Sequence, residues 1–212
     1  MNKYKKLQEL SKHIFSTKNV ILSEIKGKKN LILDVGCNEG FFGKHDTEKS
    51  NIYYGLDIDF ESLEEAKKYY KEVDFYNLND LKELKFGNIK FDYILFADVL
   101  EHIINPKETI EFFCNKYLKE NGKIIISLPN IANWQTRFGL LFGNFDYTDI
   151  GILDNTHLKL YTYKSSRKLI NDSGLDLKKE LFGATFFGYI IKILPFTRNL
   201  LSTNIITVSQ KK

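Results

Sequence analysis

The chain has 212 residues, of which 43% are hydrophobic and 27% charged, a balance typical of one globular domain. Its net charge of +4 is mild, so the sequence lacks the dense basic stripe that a nucleic-acid backbone requires. The two cysteines, Cys37 and Cys114, form no CxxC pair, and no apolar run reaches the ~20 residues of a membrane span. Since the first residues show no secretory leader, we expect a cytoplasmic protein that does not bind nucleic acid.

Helices and strands alternate along the predicted structure. Apolar residues at helical spacing, such as Leu10, Ile14 and Ile21, predict an N-terminal helical arm over residues 1–28. Strands are predicted at 31–36, 51–58, 73–78, 91–98, 122–129, 175–182 and 203–209, and helices at 60–71, 106–118 and 163–173. This alternation indicates an α/β fold with a parallel sheet and right-handed crossovers.

Two segments interrupt this rhythm within what we interpret as one domain over 1–212. Residues 130–160 are rich in aromatic residues, Gly and Asn, and are expected to form a cap over one end of the sheet. Residues 183–202 are unusually apolar, which is compatible with cap packing, a homodimer interface, or contact with a membrane or a lipid-linked substrate. Lys192 and Pro195 exclude a membrane-spanning helix here.

The strongest functional signal is the segment LDVGCNEG at 33–40. A buried strand ends in an acid, and glycines then turn the chain into a helix. Gly36 allows the backbone to approach a ligand closely, and Gly40 opens the tight turn. Asp34 can lie near a cationic ligand or fix the N–H groups of the loop. Ligands of open α/β sheets bind at this carboxyl edge.

A second acid strengthens this signal. Asp57 ends the second predicted strand, and a carboxylate there can accept hydrogen bonds from both ribose hydroxyls of an adenosine. Dehydrogenases that use NAD show the same pairing of loop and acid. The pairing therefore indicates an adenosine cofactor before it indicates which one.

Four segments in order, LDVGCNEG, GLDID, FADVLEHI and GKIIISLPN, resemble the signature segments of class I S-adenosylmethionine-dependent methyltransferases over about residues 30–130. Dehydrogenases usually lack an acid at the position of Asp34. The resemblance implies a Rossmann-like, seven-stranded, mostly parallel sheet with an antiparallel last strand, flanked by helices. It also implies S-adenosylmethionine as cofactor and S-adenosylhomocysteine as product. Asn38 stands where the family often has glycine, and Asn tolerates the left-handed region better than other residues.

The resemblance assigns the first cofactor contacts to the glycine loop and the second strand. Gly36, Cys37 and Gly40 would line the methionine portion of the cofactor, and Asp34 would order that loop. Asp57 would hold the ribose. No metal-ligand spacing such as HxxxH occurs in the sequence, so no metal is expected.

Further contacts are implied after the second, third and fourth strands. Ile58 would touch the adenine face, and Asp80 would meet the adenine amino group, with its neighbour Asn79 as a stand-in. A plain loop acid is the alternative interpretation of Asp80. Ala97 and Asp98 would lie beside the sulfonium end.

The residues after the fourth strand bear on the acceptor. Enzymes that methylate base amino groups resemble [DNS]-P-P-[YF] there, whereas this chain has ADVLEH at 97–102. The VLEH segment resembles a branch that acts mainly on small molecules, including quinone precursors, natural products and sugars. His102 either points into the site or packs on the cofactor.

The cap segment supplies the remaining candidates, and it resembles bacterial methyltransferases associated with glycan biosynthesis. Trp134, Phe145 and Tyr147 could wall a pocket, with Tyr147 donating a hydrogen bond to substrate. His157 is the first candidate for general base, oriented by the Asp154 carboxylate. A histidine that only pins the cap is the alternative interpretation.

The function expected from the sequence is methyl transfer to oxygen or nitrogen of a sugar, a glycan or another metabolite. The alternatives are an NAD-dependent dehydrogenase or epimerase and a non-catalytic module that binds an adenosine cofactor. The modest charge and the absent base-methylation motif disfavour an RNA methyltransferase. The chain could act as a monomer or a homodimer.

Overall fold

A computed structural model describes residues 13–46 and 50–212. Its strands are β1 (Leu31–Val35), β2 (Ile52–Asp57), β3 (Glu72–Phe75), β4 (Phe91–Ala97), β5 (Leu118–Pro129), β6 (Leu175–Gly183) and β7 (Asn204–Lys211). Its helices are α1 (Thr17–Glu24), α2 (Phe41–His45), α3 (Phe60–Ala66), α4 (Pro106–Tyr117), α5 (Trp134–Leu141), α6 (Tyr163–Asp172), α7 (Gly188–Ile193) and α8 (Arg198–Leu201). Short 3₁₀ turns occupy Leu100–His102 and Pro195–Thr197.

The strands form one seven-stranded sheet in the order β3-β2-β1-β4-β5-β7-β6. Strand β7 pairs antiparallel with both β5 and β6, while the remaining pairs are parallel. The predicted Rossmann-like sheet with an antiparallel last strand is therefore confirmed. From β1 the chain proceeds outward to β2 and β3, and then returns to β4 on the other side. Ligands of such sheets bind at this reversal point, beyond the carboxyl ends of the strands.

Helices cover both faces of the sheet, so the central strands are apolar throughout. Leu33 of β1 and Ile94 of β4 belong to the core on one face, and Ile32 and Leu95 belong to the core on the other. All four side chains are fully buried. The buried centre holds the strand ends in a fixed relation to one another, and the loops that follow those ends inherit this rigidity.

Several predicted boundaries differ from the observed ones. The helix predicted over 60–71 ends at Ala66, where the N–H groups of Tyr69 and Tyr70 both donate to the Ala66 carbonyl in a tight turn. Strand β3 is shorter than the predicted 73–78. Strand β5 begins at Leu118 instead of residue 122, and its pairing with β4 shifts register between Phe91 and Tyr93.

The predicted N-terminal arm is represented in the described residues by α1. The Ser16 side chain caps this helix by accepting a hydrogen bond from the N–H of Asn19. Ile21 is fully buried beside Ile25, in the same cluster as residues of β7. Leu10, which also carried the prediction, lies outside the described residues. The buried face of α1 fixes this helix beside the carboxyl edge of the sheet.

Candidate functional site

A cleft of about 610 Å³ lies beyond the carboxyl ends of β1, β2 and β4. Most of the predicted cofactor residues line it, namely Asp34, Gly36, Cys37, Asp57, Ile58, Asn79, Ala97 and Asp98. Gly40 and Asp80 do not. The fold thus brings loops that are distant in sequence to one concave surface at the point where the strand order reverses.

The glycine loop is fixed to the neighbouring strand by its backbone. The N–H groups of Gly36 and Cys37 both donate to the Leu56 carbonyl, at 2.7 and 3.0 Å. Gly36 has a φ of +78°, and a Cβ there would lie 2.3 Å from a methyl group of Val99. Asn38 has a φ of +46°, and its side-chain oxygen accepts the N–H of Glu39. Position 36 therefore requires a residue without a side chain. Asn38 adopts the left-handed conformation expected of it.

Gly40 opens the turn into α2, as predicted. It caps the start of α2 with a φ of +77°, and a Cβ on it would lie 3.0 Å from the Cα of Ala66. It therefore allows close packing of the loop against α3. Gly40 is not among the residues that line the cleft, although its N–H donates to the carbonyl of the lining residue Cys37 at 3.0 Å. A contact between Gly40 and the methionine portion of a cofactor stays a prediction.

Asp34 is a buried acid with an unused oxygen. Only 1% of the residue is exposed, and one carboxylate oxygen accepts a hydrogen bond from the Tyr70 hydroxyl at 2.5 Å. The other oxygen, Oδ1, has no hydrogen-bond partner among the described residues. Burial raises the pKa of Asp34 to about 7. The predicted ordering of the loop by Asp34 is absent among the described contacts, because its hydrogen bond goes to Tyr70 and not to a loop N–H.

Asp57 connects the end of β2 to the glycine loop. Its Oδ2 accepts the N–H of Asn38 at 2.8 Å, and its Oδ1 accepts the N–H of Asp59 at 3.0 Å. Each carboxylate oxygen can accept a second hydrogen bond. Ile58, which is 59% exposed, follows directly and also lines the cleft. The pair offers an acceptor and an apolar surface side by side.

The turn after β3 places Asn79 and Asp80 differently. Asn79 lines the cleft, and its side-chain oxygen accepts the N–H of Ile104 at 3.1 Å. The N–H of Asp80 donates to the Asn77 carbonyl in a tight turn, and Asp80 is not among the lining residues. Asn79, predicted only as a stand-in, is therefore the better placed of the two.

The end of β4 places an acid deep in the cleft. Asp98 follows Ala97 with a φ of +57°, and its Oδ1 accepts hydrogen bonds from Ser127 at 2.7 Å and Asn204 at 2.9 Å. Burial raises the pKa of Asp98 above its ordinary value. The two donors belong to the neighbouring strands β5 and β7. They therefore hold this carboxylate in place.

A cluster of Glu101, His102 and His157 lies at one end of the cleft, and each of the three side chains offers a ligand atom within 4.8 Å of the others. The carbonyl of Glu101 accepts the N–H groups of Leu158 and Lys159, at 2.8 and 3.0 Å. These hydrogen bonds join the 3₁₀ turn after β4 to the cap segment, and they bring His157 close to two residues far from it in sequence. Sequence spacing gave no sign of this cluster.

Glu101 is 1% exposed, and neither of its carboxylate oxygens has a hydrogen-bond partner among the described residues. Burial raises its pKa well above the usual value. Sequence reasoning missed Glu101. Its position directly before His102, in the loop after a central strand, was the available signal.

The two predicted histidines differ in their access to the cleft. His102 lines it, whereas His157 does not; their rings pack edge to face with centroids 4.8 Å apart. The hydrogen bonds described for the Asp154 carboxylate come from Thr156 and not from His157, so the orientation of His157 by Asp154 stays a prediction. The carboxylate that faces His157 is that of Glu101, with 4.0 Å between Nε2 and Oε1. Burial also lowers the pKa of His157.

None of the three aromatic residues predicted to wall a pocket is among the residues that line the cleft. Tyr147 is 59% exposed, packs against Phe145 and does not line the cleft. Trp134 packs edge to face against Phe138 and Phe187. A role for Tyr147 in substrate binding therefore stays a prediction that requires the cap to contact an acceptor outside the cleft.

Some side chains of the apolar segment 183–202 pack against the rest of the protein, and others are exposed. Ile191 is buried, and Tyr189 packs edge to face on Phe15, whereas Phe186, Ile193 and Phe196 are exposed. No helix among the described residues is long and apolar enough to cross a membrane. The expected choice between cap, dimer interface and membrane contact stays open for the exposed side chains.

Lys18 is a lining residue that the sequence gave no reason to select. It lies on α1, and its ammonium nitrogen is 4.7 Å from the centroid of the Phe41 ring. Its charge lowers the pKa of both Asp34 and Asp98, against the larger effect of burial. The arm helix thus contributes a cation to the cleft.

The model of one protein family, described as "Methyltransferase domain", matches residues 7–180. Curated relatives include the ubiquinone biosynthesis O-methyltransferases of Haemophilus ducreyi, 30% identical over 112 residues, and Coxiella burnetii, 32% identical over 110 residues. The alignments cover 49% and 50% of this chain, and 46% and 45% of those proteins. The chain thus spans about half the length of the curated relatives it matches.

Solved structures share the fold at low sequence identity. Magnesium protoporphyrin IX methyltransferase from Synechocystis, solved with bound S-adenosylhomocysteine, superposes on this chain with a TM-score of 0.66. It is 16% identical, and the match covers 100% of this chain and 89% of that one. This likeness shows that the two proteins share the fold across the whole sheet, including β7.

Proposed function

The chain belongs to the methyltransferase domain family, and on that premise we propose that it transfers a methyl group to a hydroxyl of a small molecule. The cofactor is S-adenosylmethionine. The observation that carries the proposal is the cleft itself, because the glycine loop, Asp57 and His102 line one concave surface, and His102 is clustered with Glu101 and His157 behind it.

The side chains of the cleft fit this cofactor. Asp57 has acceptor capacity for ribose hydroxyls beside the apolar side chain of Ile58, which suits an adenine face. The unpartnered Oδ1 of Asp34 suits the ammonium group of the methionine portion. Asn79, Ala97 and Asp98 also line the cleft. We assign Asn79 to the adenine amino group in place of Asp80, and Ala97 and Asp98 to the sulfonium end.

The bound cofactor supplies an electrophilic methyl group. The chain's task is then to align an acceptor with that methyl group and to exclude water, since positioning can provide most of the rate. The acceptor oxygen forms a bond to the methyl carbon, the carbon–sulfur bond breaks, and its electron pair passes to sulfur. A hydroxyl acceptor must also lose its proton. We place that deprotonation at the cluster of Glu101, His102 and His157.

Two observations favour oxygen as the acceptor atom. The curated relatives carry the name of an O-methyltransferase, and the cluster at the cleft holds groups that can assist loss of a hydroxyl proton. A phenolic hydroxyl and a sugar hydroxyl both meet this requirement. The exposed apolar side chains of 183–202 would suit an acceptor with an apolar portion.

The test is a methyl-transfer assay against a panel of catechols, simple phenols and sugars, with S-adenosylhomocysteine as the measured product. We expect product with at least one hydroxyl acceptor. In parallel, S-adenosylhomocysteine should raise the thermal stability of the protein and NADH should not, because a ligand that binds the folded state stabilises it. Stabilisation by NADH alone would contradict the proposal, and ligand binding without product from any acceptor would favour a non-catalytic binding module.

A further inference from the structure

The cluster of Glu101, His102 and His157 combines the residue types of a metal site. Its three ligand atoms lie within 4.8 Å of one another and come from two segments, the 3₁₀ turn after β4 and the cap. Two imidazoles with one carboxylate form a ligand set that transition metals occupy in catalytic centres, where coordination positions stay open for substrate.

The Glu101 carboxyl provides an independent observation. It is 1% exposed, and neither oxygen has a hydrogen-bond partner among the described residues. The Nε2 of His157 is 4.0 Å from Oε1, which is too long for a hydrogen bond. Burying a carboxyl without a partner is costly, whereas coordination of a cation compensates for that cost.

The two histidines present the nitrogen that a metal needs. The Nδ1 of His102 lies 3.2 Å from the Thr156 carbonyl oxygen, and the Nδ1 of His157 lies 3.2 Å from the Ile152 carbonyl oxygen. Because a carbonyl oxygen can only accept, each Nδ1 carries the proton in these contacts and each Nε2 keeps its lone pair. Histidine ligands of metal ions are commonly oriented in this way by a backbone carbonyl.

We propose that Glu101, His102 and His157 bind one divalent first-row transition metal ion, such as Zn²⁺ or Mn²⁺. Ligand atoms around a tetrahedral Zn²⁺ are roughly 3.4 Å apart, given bond lengths of about 2.1 Å. Side-chain rotations that bring the ligand atoms closer by at most about 1.4 Å satisfy this geometry. His102 lines the cleft, so the coordination positions left over face the reacting groups.

This inference rests on the proposed function and specifies how the acceptor hydroxyl is activated. An acceptor oxygen bound to the cation has a lowered pKa, so its proton passes to water before methyl transfer. The oxygen then forms its bond to the methyl carbon as the carbon–sulfur bond breaks and sulfur takes the electron pair. In this arrangement His102 and His157 act as ligands and not as the base.

The test titrates chelator-treated protein with Zn²⁺ and with Mn²⁺ by calorimetry, and measures bound metal by elemental analysis. We expect one ion per chain. Glu101→Gln and His157→Gln should each weaken binding at least tenfold. The control variants Glu120→Gln and His13→Gln change one exposed glutamate and one histidine away from the cluster, and should bind metal like the wild type.

A second measurement uses the wild-type protein alone, in case a variant fails to fold. A crystal soaked in MnCl₂ should show an anomalous peak between the three side chains. A peak elsewhere, no peak, or equal metal affinity in Glu101→Gln and Glu120→Gln would overturn the proposal. Binding of S-adenosylhomocysteine is measured on the same chelator-treated protein. Its retention without metal binding rejects the metal site alone, whereas its loss rejects the proposed function.

Discussion

The Oδ2 atom of Asp57 accepts the backbone N–H of Asn38 at 2.8 Å, and this hydrogen bond joins the end of β2 to the glycine loop after β1. One carboxylate therefore both holds the loop and faces the cleft. We therefore expect the geometry of the loop and the recognition of a cofactor to be coupled through this one side chain.

Asp57→Ala should weaken binding of S-adenosylhomocysteine by about 1–3 kcal/mol, the scale of losing charged hydrogen bonds. Calorimetry measures the loss directly. Asp80→Ala is the matched control, because Asp80 lies in a neighbouring turn and does not line the cleft. Equal affinity of the Asp57 variant and the wild type would reject the ribose role of this acid.

Gly36→Ala tests the close approach of the loop to Val99. The added Cβ would lie 2.3 Å from a Val99 methyl group, so a steric cost of about 1–3 kcal/mol adds to the backbone strain at a φ of +78°. Gly87→Ala is the matched control, since Gly87 has a φ of +75° and no atom within 4 Å of an added Cβ. Chemical denaturation should show a clearly larger loss of stability for Gly36→Ala. Equal losses would show that Val99 accommodates the methyl group.

The raised pKa of Asp34 predicts that the stability of the folded protein depends on pH. Its pKa in the folded protein is about 7, against an ordinary value of 3.8. As pH rises from about 4 to about 7, the unfolded chain loses this proton before the folded chain does. The free energy of unfolding therefore falls over that range, by at most about 4 kcal/mol from this group.

Asp34→Asn removes this cost. Without cofactor, the variant should be more stable than the wild type at pH 8, and the difference should disappear as the pH approaches 4. Urea denaturation at several pH values measures it. The variant should also bind S-adenosylhomocysteine more weakly, because it lacks the carboxylate charge. A variant no more stable than the wild type at pH 8 would contradict the account of Asp34.

The cleft was predictable from the sequence because its parts are local. The segment 33–40 and the acid at Asp57 carry their signal within a few residues of a strand end, and parallel strands bring such ends to one edge. The sequence did not determine whether Asn79 or Asp80 faces the cleft, because this depends on the path of one tight turn.

The cluster and the arm contact were not predictable from the sequence. Glu101 meets His157 through hydrogen bonds between its own carbonyl and the cap backbone, which no sequence pattern records. Lys18 reaches the cleft because α1 packs beside the sheet. Asp34 is paired with Tyr70 because α3 ends early and the chain turns back. All three contacts depend on tertiary packing.

His157→Ala should separate turnover from cofactor binding. His157 does not line the cleft, so affinity for S-adenosylhomocysteine should stay within about twofold. Turnover should fall by about 10²-fold or more, because the cluster that promotes deprotonation of the acceptor hydroxyl loses one of its three residues. His102→Ala should lower both quantities, because His102 lines the cleft. Full turnover of His157→Ala would remove this histidine from the reaction.

The most direct test of the central claim is a crystal structure of the protein with S-adenosylhomocysteine. We predict that the ribose hydroxyls lie within hydrogen-bond distance of Asp57 and that the adenine lies against Ile58. The amino group of the ligand should lie near Asp34. A ligand bound elsewhere on the protein, or a cleft without ligand at saturating concentration, would contradict the account.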